Sequence, residues 1–286
     1  MLSFLLFSTI LFISWFILKH RIKRIDIDHN VLLITAHPDD ELMFFGPTLL
    51  NELRSRIENY YSLNNIDDKK HSKIHLLCLC TGNYYGDGEK RKQELDDAMN
   101  ELFRSTFDNS VVKNSQEKCS KDLLNELFTW EIRDDPELID SPVAEWQPYY
   151  IMKIIQKYCQ QNSITKIITF DQYGISGHSN HIAIYEAVIK LFNRNNDLNL
   201  EIYFLKSISI IRKYLALFDI ICTLISSLIN NNWNVYLISS LKDYLIIVYS
   251  LRKHYSQMVW FRRLFYSSTS RFLFINSYRS YRIKSK

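Results

Sequence analysis

Val31-Leu32-Leu33-Ile34-Thr35-Ala36-His37-Pro38-Asp39-Asp40-Glu41 is the stretch whose reading decides the fold. Its first six residues are a short apolar run, which is how a strand buried on both faces reads. Its last five crowd metal-binding and acid/base residue types at the carboxyl end of that strand. An open α/β sheet places its site there.

Outward from this stretch the same alternation continues. Strands are predicted over 31–36, 73–80, 166–170, 201–206 and 234–238, and helices over 41–57, 89–104, 147–161, 179–193 and 241–254. In 41–57 the apolar residues Leu42, Phe45, Leu49, Leu53 and Ile57 recur at helical spacing. The alternation implies βαβ units, hence an α/β body with a mostly parallel sheet flanked by helices. Residues 58–72 read as a surface loop. Residues 105–146, with Pro136 and Pro142, read as irregular, and there are no internal repeats.

The length of 286 residues suits one large domain with additions, and 47% hydrophobic against 23% charged residues is enough for a packed core. The net charge of +4 is modest and the basic residues form no long block, so no nucleic-acid partner is implied. With 6 Gly and 5 Pro, long flexible linkers are not expected. The 5 cysteines (Cys78, Cys80, Cys119, Cys159 and Cys222) are odd in number and irregular in spacing. Reduced thiols fit them best, which favours a cytosolic environment.

Met1 to Leu18 carries no charged side chain, and Lys19, Arg21, Lys23 and Arg24 follow at once. A helix of that length reaches roughly 27 Å, close to a bilayer's apolar thickness of roughly 30 Å. The expected organisation is a transmembrane anchor over 1–18, a basic juxtamembrane linker over 19–30 and a cytosolic domain over 31–286. The amino terminus then faces the lumen or exterior. A cleaved signal peptide would need a basic n-region and a small-residue cleavage site, and neither is present. No Asn-X-Ser/Thr sequon occurs, in keeping with a cytosolic body. Tyr214 to Ile229 is a second apolar stretch interrupted by Asp219, and it reads as a helix packed on the body or lying at a membrane surface rather than a second crossing. The basic and aromatic residues from Lys253 to Phe272 suit either an anionic membrane interface or an amphipathic helix with a solvated face.

A second polar cluster, Gly177-His178-Ser179-Asn180-His181, lies far downstream at an expected helix start. His37 and Asp40 are three apart in a tight turn, and His178 and His181 are three apart on one helix face. Hydrolytic zinc commonly takes three protein ligands and keeps one position open for water. Five candidates (His37, Asp39, Asp40, His178 and His181) thus stand for three ligand places, a base and a charge stabiliser. Spacing alone leaves open whether Asp39 or Asp40, and His178 or His181, is a ligand. Arg91 and Glu94, three apart on the next helix, are candidates for contacting a sugar or an inositol phosphate, or for a plain salt bridge. Tyr84 is a candidate for stacking on a sugar, Tyr85 likewise, and both equally suit loop packing.

These two clusters resemble the signature motifs of the PIG-L/LmbE-like deacetylases. Met43-Phe44-Phe45, Gly82-Asn83-Tyr84-Tyr85, Gly88 to Leu95, Thr169-Phe170-Asp171, His178 to Ile184, Arg212-Lys213-Tyr214 and Trp260 to Leu264 are similar to the eukaryotic branch. The resemblance spans roughly residues 31–275 plus the anchor. It implies a Rossmann-like fold with His37, Asp40 and His181 as ligands of zinc or another divalent cation. Asp39 is then the general base, and His178 steadies the tetrahedral intermediate. The implied substrate is a membrane glycolipid, N-acetylglucosaminyl-phosphatidylinositol, deacetylated at the endoplasmic reticulum membrane in the second step of GPI-anchor biosynthesis. The alternatives are a deacetylase of a soluble N-acetyl sugar and a non-catalytic, membrane-tethered binder of phosphoinositide or sugar. Trp130-Glu131-Ile132-Arg133-Asp134-Asp135-Pro136 departs from the family's Arg-Asp-Phe-Pro-Asp-like segment. Ser176 stands where some bacterial relatives carry a tyrosine and is assigned no catalytic role.

Overall fold

The decisive apolar run forms the middle of a sheet. The computed structural model describes residues 2–20, 29–62, 71–110, 119–141, 143–194, 200–229, 235–260, 263 and 270–282. In chain order the elements are α1 (Leu2–His20), β1 (Asn30–Thr35), α2 (Asp40–Met43), α3 (Gly46–Ser62), β2 (Ile74–Cys78), α4 (Gly88–Asp108), α5 (Lys121–Leu127) and β3 (Phe128–Ile132). There follow α6 (Pro148–Gln161), β4 (Ile164–Phe170), α7 (Gly174–Gly177), α8 (Ser179–Arg194), β5 (Glu201–Leu205), α9 (Ile210–Lys213), α10 (Asp219–Ile229), β6 (Val235–Ile238), α11 (Leu241–Leu251) and β7 (Ile275–Arg282).

The sheet has seven strands in the order β3-β2-β1-β4-β5-β7-β6. The first five pair in parallel, while β7 is antiparallel to both β5 and β6. The parallel expectation therefore holds for the half that carries the site. β1 is buried from Val31 to Thr35 because β2 and β4 flank it and helices cover both faces. Chain order reverses between β1 and β4, and the carboxyl ends of those two strands open the crevice where such sheets bind ligands.

Three expectations need correction. The helix predicted over 41–57 is two helices, because Pro47 has no N–H to donate to the carbonyl four residues back; α3 restarts with this proline in its first turn. The segment 105–146 is not wholly irregular, since it holds α5 and the edge strand β3, whose mixed burial hid it. β7 went unread because its sequence is largely polar: its first four residues are buried, its last four are not, and no continuous apolar run marks it. The basic linker around 21–28 and the aromatic-basic residues 261–262 and 264–269 lie outside the described residues.

Helix α1 packs against α10 and β6, and its side chains are described over residues 8–17. Among the described residues no helix is long and apolar enough to cross a membrane. Of the second apolar stretch, α10 covers 11 residues, roughly 16 Å, which is too short for a span. It is tied to the body by its first residue. Asp219 is fully buried and accepts hydrogen bonds from Arg212, Arg271 and Thr223. The buried Arg271 also donates to Ser277 of β7, so one ion cluster joins α9, α10 and β7. All five cysteines are free thiols, and burial pushes Cys80 up to about 12.

Arg271→Met leaves the Asp219 carboxylate buried with Arg212 as its remaining cation. Breaking a buried pair costs about 3–5 kcal/mol, and the retained Arg212 places this variant at the lower end. The check is urea unfolding: the midpoint falls, with little change in slope.

Candidate active site

The turn after β1 is built by Asp40. Its Oδ2 accepts the backbone N–H groups of Ala36 (3.1 Å) and His37 (2.9 Å), which folds the chain back at the strand end. The same oxygen lies 3.6 Å from His37 Nδ1. Asp39 adopts φ 116°, ψ −25°, a conformation that costs a non-glycine residue about 1–3 kcal/mol.

The turn after β4 supplies the other half. Asp171 accepts hydrogen bonds from the N–H and Oγ of Ser207, and its carbonyl accepts the Gly174 N–H. Gly174 has φ +53°, and a Cβ there would stand 3.0 Å from His181 Cβ, so the close approach requires glycine. Its carbonyl accepts from His181 Nδ1 at 3.1 Å. That fixes the tautomer and leaves the Nε2 lone pair facing Asp40 Oδ2 at 3.2 Å. Phe170 stacks on the His181 ring at 3.8 Å between centroids and holds its plane.

His37, Asp40 and His181 are all buried and each offers one donor atom, the three atoms lying within 4.8 Å of one another. Donors at roughly 2.0–2.2 Å from a tetrahedral ion sit roughly 3.3–3.5 Å apart. The observed 3.2 and 3.6 Å separations about Asp40 Oδ2 suit one small divalent cation. The electrostatics agree. Burial opposes charge on His37, yet the Asp140 and Asp40 carboxylates raise it to about 9. Burial would raise Asp40, yet the His181 and His37 imidazoles hold it well below the usual carboxylate range. The pocket is therefore set up to hold positive charge. His37 Nε2 lies 3.4 Å from Asp140 Oδ1, and a proton shared there leaves Nδ1 free to face an ion. Asn180 is also against this nitrogen, its amide nitrogen at 3.1 Å and its buried Oδ1 without a hydrogen-bond partner among the described residues. Turning the amide end for end gives that oxygen the Nε2–H.

The remaining candidates separate clearly. Asp39 and His178 join the three donors in a cleft of about 500 Å³. The His178 ring packs against both His37 and His181, at 5.0 and 4.7 Å. Enclosure by the cleft, with those two imidazoles, pushes His178 down to about 4, so it is a neutral imidazole at pH 7. Arg91 reaches the cleft, but its guanidinium is engaged with backbone, donating to the carbonyls of Gly82 (3.0 Å) and Pro38 (2.7 Å). Tyr84 lines the rim and is half exposed. Glu94 is a correction: it is 1% exposed and off the cleft, and its two oxygens accept the N–H and Oγ of Ser256. The sequence reading missed Asp140 and Phe170. Asp140 sits in the stretch taken as irregular, and no local spacing signals its approach to His37.

An α/β sheet with a His-Asp-His donor set at its switch point, and a further carboxylate and imidazole beside it, has the make-up of a metal-assisted hydrolase. The sequence matches the family model described as PIG-L, GlcNAc-PI de-N-acetylase, over residues 32–192. A Schizosaccharomyces pombe protein named "Probable N-acetylglucosaminyl-phosphatidylinositol de-N-acetylase" is 33% identical over 82% of this chain and 79% of its own length. A Bos taurus protein named as the same de-N-acetylase is 32% identical over 87% of this chain and 82% of its own. In fold, a deacetylase of the teicoplanin biosynthetic pathway matches with a TM-score of 0.50 at 10% identity, over 90% of this chain and 100% of that one. The chain belongs to the GlcNAc-PI de-N-acetylase (PIG-L) family.

Metal analysis of the purified protein is expected to find about one divalent ion per chain. As purified, Asp40→Ala and His181→Ala should each lack it. Because an ion at 100 times its Kd stabilises by about 2.7 kcal/mol, chelation should lower the Tm of the wild type and leave that of either variant in place.

Proposed function

We propose that this chain hydrolyses the acetamide of N-acetylglucosaminyl-phosphatidylinositol to glucosaminyl-phosphatidylinositol and acetate. The observation that carries this reading is the meeting of both motifs in one cleft, in a chain whose relatives bear that activity in their names. His37, Asp40 and His181 would hold a divalent cation, and their nitrogen and oxygen donors suit zinc. Such an ion supplies Lewis acidity, which acidifies a water and polarises a carbonyl.

The chain's own residues do the rest. Asp39, on the cleft wall, takes a proton from the water that attacks the acetamide carbon. His178 presents an N–H to the oxygen on which negative charge develops, an effect usually worth a few kcal/mol. The C–N bond then breaks, the proton held by Asp39 passes to the glucosamine nitrogen, and acetate leaves. Asp140 and Tyr84 at the rim are placed to meet sugar hydroxyls.

The same proposal sets the chain at the endoplasmic reticulum membrane as a single-pass protein with its body in the cytosol. The uncharged run to Leu18 and the basic residues after it support this. So do Phe12, Ile13 and Phe16 of α1 and Leu228 and Ile229 of α10, which are all exposed.

Asp39→Asn should keep its metal and lose turnover by roughly 10²–10⁴-fold. The assay is acetate release from vesicles carrying the lipid-linked sugar, with free N-acetylglucosamine as the comparison. Turnover of both substrates alike points to a soluble-sugar deacetylase, and turnover of neither by metal-loaded wild type removes the catalytic reading.

A further inference from the structure

Glu41 closes the acidic cluster but does not line the cleft. It is fully buried, and each carboxylate oxygen has a partner. Oε2 accepts the Asp39 N–H at 2.9 Å, and Oε1 lies 2.7 Å from His254 Nε2. His254 is equally buried and comes from 213 positions away, in the turn that follows α11. The peptide between Pro38 and Asp39 is thereby held at both polar groups. Arg91 Nη2 donates to the Pro38 carbonyl at 2.7 Å, and Glu41 receives the Asp39 N–H.

Gripping both polar groups fixes the plane of that peptide, and the plane sets φ of Asp39. At 116° this angle costs about 1–3 kcal/mol and persists only where the surroundings over-determine it. A different φ at Asp39 would swing its Cα–Cβ bond out of the direction in which it now meets the cleft. The same carboxyl-terminal turn braces the opposite grip. Ser256, two residues after His254, binds both oxygens of Glu94, which lies one helical step beyond Arg91 on α4. A buried carboxylate and imidazole are expensive to place, and these two sit behind the one strained residue of the acidic turn.

We infer that Glu41 and His254 are positioning residues for Asp39: His254 fixes the Glu41 carboxylate, Glu41 fixes the Pro38–Asp39 peptide, and that peptide aims the Asp39 side chain into the cleft. The inference rests on the proposed role of Asp39 as the base. It also gives the region after α11 a part in the reaction, although its residues stay off the reacting atoms.

The test compares His254→Leu, which removes the donor, with His254→Gln, whose side-chain N–H reaches about as far as Nε2. Each metal-loaded variant is assayed for kcat, KM, metal content and Tm. His254→Leu should lose kcat by about 10- to 100-fold, the scale of a misplaced catalytic group, with KM and metal content within twofold. His254→Gln should recover most of that kcat. If His254→Leu does not fold, Glu41→Asp decides, since it keeps the charge and withdraws the carboxylate by one methylene. Its kcat should fall at unchanged KM and metal content. Wild-type kcat in whichever variant decides, or a loss in His254→Leu that His254→Gln fails to recover, overturns the inference. Asp39→Asn is assayed alongside. If it retains turnover, the base assignment fails; if it is inactive while His254→Leu is unimpaired, only the positioning inference fails.

Discussion

One carboxylate oxygen organises the molecule's chemistry. Asp40 Oδ2 accepts two backbone N–H groups at the end of β1 and faces imidazoles from two segments some 140 positions apart. The backbone bonds make the turn, and the turn brings His37 alongside. Parallel pairing of β1 with β4 brings the His181 segment to the same sheet edge. A buried anion with two backbone donors and two imidazoles is a ready cation site. Were this oxygen removed, both the shape of the turn and the charge of the pocket would change together, so fold and site are one construction here.

Around that centre, strain and buried charge are concentrated rather than spread. Asp39 sits at positive φ beside Asp40, and Ile175 at φ 67° lies in the turn that leads from β4 to His178 and the start of α8. Both are non-glycine residues, and both belong to turns that leave the carboxyl ends of central strands. Polar pairs brace them: the buried Glu41 with His254 on one side, the part-buried Asp171 with Ser207 on the other. A second cluster, Asp219 with Arg271 and Arg212, joins the late elements into the same body.

Much of this was legible in the sequence, for physical reasons that vary by element. β1, β2, β4 and β5 read correctly because burial on both faces demands continuous apolar runs. β3 and β7 did not, because an edge strand and an antiparallel, half-solvated strand carry no such run. The break between α2 and α3 was signalled by Pro47 but overridden by the helical spacing of Leu42, Phe45 and Leu49. The grouping of His37, Asp40 and His181 was legible because residues of metal-binding type cluster in two short motifs. Glu94 misled, because a charged pair three apart on a helix looks local while its partner, Ser256, is 162 positions away. Asp140 and His254 were invisible as site elements for the same reason: only the fold brings them near His37 and Glu41.

The proposed function stands on one divalent cation being gripped by both motifs at once. X-ray absorption at the metal edge of the zinc-loaded protein tests it most directly. The expected first shell is nitrogen and oxygen at roughly 2.0–2.2 Å and contains two imidazoles, with one imidazole lost when His37→Ala or His181→Ala is reloaded with excess zinc. A shell without imidazole, or one that neither substitution alters, would contradict it.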